Sequence, residues 1–261
     1  MLEYASAELR DDTALVMQCV CDLGGALHYA SPRLQDDEDV VLAAVSNRGW
    51  ALQSASERLR SHRPTVMAAC QENGLALLFA ADDLRADREV VLGAVTTYGA
   101  ALGWASRKLR ADRDVVLAAL AADGEALRFA ADELRLDKDV VVAACTQSGW
   151  ALEFAPDFYG DRDVVLAATG SEGGAMCFAT EELTRDRDVV LAAVASPHED
   201  PWREAPALHF ATEELKADRE VVLVAVRGCG VQLESADHAL RSDPECVEAA
   251  GVQHDLGSFT Y

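Results

Sequence analysis

The chain has 261 residues, with 45 Asp+Glu against 23 Lys+Arg and a net charge of −22 at pH 7. Half of the residues are hydrophobic, too many for a disordered acidic chain, and 6% are aromatic. No apolar run approaches the roughly 20 residues that span a bilayer, no basic-then-apolar leader is visible, and the charge disfavours nucleic acid as a direct partner, because phosphate binding needs a basic face.

A repeat organises the sequence from its first residues. Tyr4-Ala5-Ser6-Ala7-Glu8-Leu9-Arg10 reads as the second half of a unit without its first half. The step Asp-Arg-Asp-Val-Val-Leu-Ala-Ala, clearest at Asp112–Ala119, then recurs with anchors at Asp12, Asp37, His62, Asp87, Asp112, Asp137, Asp161, Asp186, Asp218 and Asp243. The spacing is 25 residues throughout, apart from one step of 24 and one of 32. Such a period marks a stack of supersecondary units that share one core.

Counting from each anchor as position 0, the anchor Asp and the acid at position 2 predict a helix N-cap and first turn. About two apolar turns follow, and Gly at position 12 is expected to end the helix in a left-handed conformation. Ala-Leu-x-Phe-Ala at positions 14–18 predicts a second, short helix, and a last turn closes on Leu at position 22. The prolines agree. Pro64 and Pro244 fall in a first turn, Pro206 at the start of a second helix, and Pro32 and Pro156 just after one. Ala at positions 6, 7, 14 and 18 allows close approach. Leu at 5, 15 and 22 and the aromatic at 17, Trp104 among them, supply core volume.

The expectation is an all-α chain, an α-solenoid of about ten 25-residue two-helix repeats with its hand undetermined. It forms a single repeat domain over 1–250, with an insertion at 196–206 and a tail at 251–261. Nine steps of about 8–10 Å per layer would trace roughly 70–90 Å along the curve.

The pattern G-x-A-L-x-F-A-S-x-E-L-R-x-D-R-D-V-V-L-A-A-V resembles the tandem repeats called domain of unknown function 4116, from Tyr4 to about Ala250. The chain departs from it at the insertion, at Ala205 where Gly is usual, and at Pro156–Gly160 in place of the Leu-Arg turn. The resemblance implies a helical repeat and transfers no catalytic residue.

Chemistry-bearing residues follow the repeat. Asp-x-Asp/Glu pairs such as Asp37/Asp39 and Asp161/Asp163 have the spacing of calcium ligands, but they recur at eight of the ten anchors, and the residue at position 1 is basic in seven of ten units. Capping is the better reading. Basic residues at position 23 (Arg10, Arg60, Arg85, Arg110, Arg135, Lys216 and Arg241) are expected to pair with the next anchor Asp. An anion site on them is disfavoured by the neighbouring acids.

Cys19, Cys70, Cys145 and Cys246 take positions of small core residues, and Cys19-x-Cys21 with His28 fits no zinc pattern. The odd count of seven implies no disulfide framework and points to a reducing intracellular compartment. No catalytic arrangement assembles from the histidines. The expectation is a non-enzymatic chain without cofactor or metal.

The insertion breaks the period. His198, Trp202 and Arg203 within it, with Trp50 and Trp150 at the variable position 13, are the candidate partner-binding residues. They suggest a scaffold for protein partners, whose complement to an acidic surface is a basic one. A structural subunit of a larger assembly is the alternative, since the two ends of the stack lack polar caps.

Overall fold

The computed structural model describes residues 2–196 and 206–256, with side chains to residue 251. Every regular element among them is helical. Two compact units, Met1–Leu134 and Arg135–Tyr261, are built from the same repeat.

In the first unit each repeat opens with a ten-residue α-helix: Thr13–Asp22, Glu38–Asn47, Arg63–Glu72, Arg88–Thr97 and Arg113–Ala122. The anchor side chain starts it. Asp37 accepts from the Asp39 and Val40 N–H groups, both at 3.1 Å, and satisfies two of the donors that a helix start leaves free. Positions 3, 4, 7 and 8 share one face at helical spacing and are buried, as in Val40, Val41, Ala44 and Val45. Leu42 and Ala43, at positions 5 and 6, are half-exposed. The core therefore rests on Val more than on the Leu expected at position 5.

The expected second helix is a 3₁₀ segment. Gly49–Ser54 and Gly74–Phe79 illustrate it, with Ala51 and Leu52 buried. Six residues in 3₁₀ geometry are longer than the usual three or four. Neighbouring repeats hold the segment at its start. The Gly24 N–H donates to Asn47 Oδ1 at 2.8 Å on the next repeat, and the Gly49 N–H donates to the Glu72 carboxylate. A single turn follows, α-helical in Pro32–Gln35, Glu57–Arg60 and Arg107–Arg110 and 3₁₀ in Leu84–Ala86.

The glycine at position 12 has a different role from the one expected. Among the described residues no glycine has positive φ. A Cβ on Gly24, Gly49, Gly74 or Gly99 would instead lie under 3.0 Å from the carbonyl oxygen at position 7 of the next repeat, Ala44, Ala69, Ala94 or Ala119. The residue is small because two backbones meet there.

A main-chain ladder also joins successive repeats. The N–H at position 19 donates to the carbonyl at position 23 of the preceding repeat: Ser31 to Arg10 at 2.9 Å, Ser56 to Gln35 at 2.9 Å, Ala81 to Arg60 at 3.0 Å and Ser106 to Arg85 at 2.8 Å.

The second unit repeats the scheme with α-helices Lys138–Gln147, Arg162–Ser171, Arg187–Ala195, Arg219–Gly228 and Pro244–Leu256. Its ladder includes Thr180 to Tyr159 at 3.0 Å and Asp237 to Lys216 at 2.9 Å. The 3₁₀ segment Ala207–Phe210 has four residues where its neighbours have six. There Gln232, fully buried at a position that elsewhere holds Ala, accepts from the Leu208 N–H at 3.2 Å and donates to the Val194 carbonyl at 3.4 Å. The prolines sit where the sequence reading put them: Pro64 in a first turn, Pro32 and Pro156 opening the turn after a 3₁₀ segment, and Pro206 just before one. The chain is all-α and solenoid-like.

Candidate functional site

The acidic edge is a set of inter-repeat clamps. At position 1 a basic side chain reaches the two carboxylates at positions 0 and 2 of the next repeat. Arg88 meets Asp112 at 3.3 Å and Asp114 at 3.0 Å. Arg162 meets Asp186 and Asp188, each at 2.7 Å, and Lys138 meets Asp161 at 2.9 Å and Asp163 at 2.7 Å. Arg63, Arg187 and Arg219 do the same toward Asp87/Glu89, Asp218/Glu220 and Asp243/Glu245. The hydrogen bond from Arg162 holds the Asp186 carboxyl below its ordinary range, and the one from Lys138 does so for Asp161.

This corrects the expected ladder: the cation comes from position 1. Position 23 serves its own repeat instead: Arg85 pairs with Asp82, and Lys216 with Glu213 at 3.0 Å. Arg10 Nη2 donates to the Glu3 carbonyl at 2.7 Å, and Gln35 Nε2 donates to the Leu27 and His28 carbonyls at 3.1 and 3.2 Å. Both satisfy oxygens in the 3₁₀ segment of their own repeat.

The clamp is missing at two junctions of the first unit. Thr13 stands at position 1 before Asp37, and the second junction lacks a basic residue as well. Glu38 stands at position 1 and His62 at the next anchor, 3.9 Å apart, and His62 makes no side-chain cap. Its Nδ1 lies 3.0 Å from Thr65 Oγ1.

Aromatic rings form the second surface feature. Trp50 is 39% exposed and meets Phe79, at position 17 of the next repeat, edge-to-face at 5.3 Å. Trp150 meets Phe178 in the same way at 5.8 Å, and Tyr159 stacks on Phe178 at 5.6 Å. Trp104 is 41% exposed and Tyr98 is 45% exposed. Position 17 is thus a half-exposed ridge, and Trp104 is not the core residue its position suggested. Sequence reasoning missed Tyr98 as well. The signal for it was an aromatic at the mostly polar position 11. His198, Trp202 and Arg203 lie outside the described residues.

The seven cysteines form no disulfide. Cys70 and Cys145 are buried, and burial pushes both thiols up to about 12. Cys246 is buried also, whereas Cys19 is half-exposed. Among the described residues no three His, Cys, Asp or Glu side chains come together in a way that could hold a metal ion, and no helix is long and apolar enough to cross a membrane.

No curated protein and no solved structure matches this chain. A family model does, that of domain of unknown function DUF4116, over residues 14–60, 62–110 and 112–159, each stretch covering about two of the 25-residue steps. These stretches make up more than half of the chain, which therefore belongs to the DUF4116 family.

Proposed function

We propose that this chain is a non-enzymatic helical-repeat scaffold that binds protein partners through exposed aromatic side chains in and beside its 3₁₀ segments. The observation that carries this reading is the exposure of Trp50, Tyr98 and Trp104 in the first unit. Large aromatic side chains lose little conformational freedom on binding and dominate many interfaces. Supporting the non-enzymatic half is the structural use of the carboxylates: anchor acids cap helices and clamp neighbouring repeats.

The test is affinity capture with purified wild-type chain beside the variant Trp50→Ala/Trp104→Ala. The reading expects a specific protein recovered by the wild type and lost by a variant with an unchanged far-UV circular dichroism spectrum. Identical capture profiles would overturn it.

A second reading, a structural subunit of an assembly, is favoured by one feature of the second unit. A groove of about 370 Å³ is lined by Val231, Leu233, Val247 and Ala250 together with Glu234 and Arg241, with Val231 51% and Val247 47% exposed. A monodisperse monomer in sedimentation, unchanged by Val231→Lys, would remove this reading.

A further inference from the structure

In a chain of net charge −22, the single turn Arg107–Arg110 carries three cations and no acid. Arg107, Lys108 and Arg110 form no ion pair with another described residue. Beside this turn lies a cavity of about 230 Å³. Arg107, Arg110 and Ala111 wall it on one repeat, and Ala131, Asp132 and Glu133 wall it on the next.

The equivalent place is filled at two earlier junctions. There position 24 is Asp11 or Asp36. The Asp11 carboxylate accepts from Ser31 Oγ and, at 3.0 Å, from Arg33 Nε. Asp36 accepts from Ser56 Oγ and, at 2.9 Å, from Arg58 Nε. At the cavity these three positions are Ala111, Ala131 and Glu133. Carboxylate, hydroxyl and guanidinium are all lost together. Cations stand on the preceding repeat at positions 20 and 23, and it is Arg107 at position 20 that the filled junctions lack, where Ala7 and Pro32 stand.

We propose that this cavity binds a small monocarboxylate, whose oxygens take the place that Asp11 and Asp36 fill internally and accept from Arg107 and Arg110. The guanidinium fork suits a carboxylate. The volume is below the roughly 300–1,000 Å³ of pockets for larger ligands, so the acid is short. Asp132 and Glu133 on the opposite wall repel a second anionic group, so it carries one charge. This site is independent of the exposed aromatic side chains.

The test is a titration of the ¹⁵N-labelled full chain with sodium acetate against sodium chloride at matched ionic strength. Saturable shifts are expected at the Ala111, Ala131 and Glu133 amides in acetate and not in chloride. Arg110→Gln, copying Gln35 at the same position, should weaken binding by about tenfold or more, the weight of a charge-assisted hydrogen bond. Ala111→Asp restores an internal carboxylate and should abolish the response, while Glu133→Gln should strengthen it. Shifts linear in acetate, shifts equal in chloride, or saturation unaffected by Ala111→Asp would overturn the proposal. Saturation by inorganic phosphate but not by acetate would overturn the carboxylate assignment.

Discussion

A Cβ on Gly99 would lie 2.5 Å from the carbonyl oxygen of Ala119, one repeat further on. Backbone meets backbone there, so neither side can yield by a rotamer change. Gly99→Ala should therefore destabilise the chain by about 1–3 kcal/mol, as overpacking does. Gly93 is the control. It sits inside the helix Arg88–Thr97 at a position that is usually Ala, and nothing lies within 4 Å of where its Cβ would be. Gly93→Ala should stabilise by about 0.5–1 kcal/mol through helix propensity. Urea unfolding followed at 222 nm separates the two, and equal effects would refute the close-approach account.

The clamps make stability depend on acid. Asp87, Asp161 and Asp186 each receive a hydrogen bond from the basic residue of the preceding repeat, which lowers the carboxyl below its unfolded value. A lowered folded value means that the unfolded chain takes up protons first as pH falls. The stabilisation is present in full above the ordinary aspartate range and is lost as pH drops through the folded values beneath it. Arg162→Gln should flatten this acid limb of the melting-temperature profile and reduce its dependence on salt, because the pair is largely solvent-exposed. An acid limb identical to wild type would show that the clamp does not couple to folding.

Much of the fold was legible because a repeat shows each rule many times. Anchor Asp and apolar spacing placed every ten-residue helix, and the prolines placed the breaks. What was not legible depends on neighbours one period away. Gly at position 12 signals a close approach as well as it signals a left-handed cap, and sequence alone favoured the cap. Arg88 and Arg110 both stand within two residues of an anchor Asp, yet stacking sends Arg88 across the junction and leaves Arg110 Nε, like those of Arg10 and Arg60, buried without an acceptor. The candidate site was less legible still. Half-exposed Trp104 and Phe79 share one sequence position with no mark of which edge is open, while Gln232 stood out only as a polar residue in an Ala slot.

The exception at His62 invites repair. Its helix, Arg63–Glu72, lacks the side-chain cap that Asp supplies at the equivalent places. His62→Asp should add about 1 kcal/mol by capping. Glu38 on the preceding repeat would repel the new carboxylate, so the double change Glu38→Arg/His62→Asp should exceed the single one and show positive coupling in a double-mutant cycle. A His62→Asp variant no more stable than wild type at pH 7 would mean that Thr65 already serves the ring as well as a cap serves the helix.

Thiol chemistry tests the core assignment directly. Cys70 and Cys145 are buried, and with their thiols pushed up to about 12 they hold almost no thiolate at neutral pH. Cys21 and Cys177 are exposed. With an aromatic disulfide reagent at pH 8, Cys21 and Cys177 should react within minutes in the native chain. Cys70 and Cys145 should react only after urea unfolding, at rates that follow global opening. Peptide mapping of the modified sites gives the answer. Native-state labelling of Cys145 as fast as Cys177 would mean that the helix Lys138–Gln147 opens locally, and it would contradict the tight Val-and-Ala packing described for these repeats.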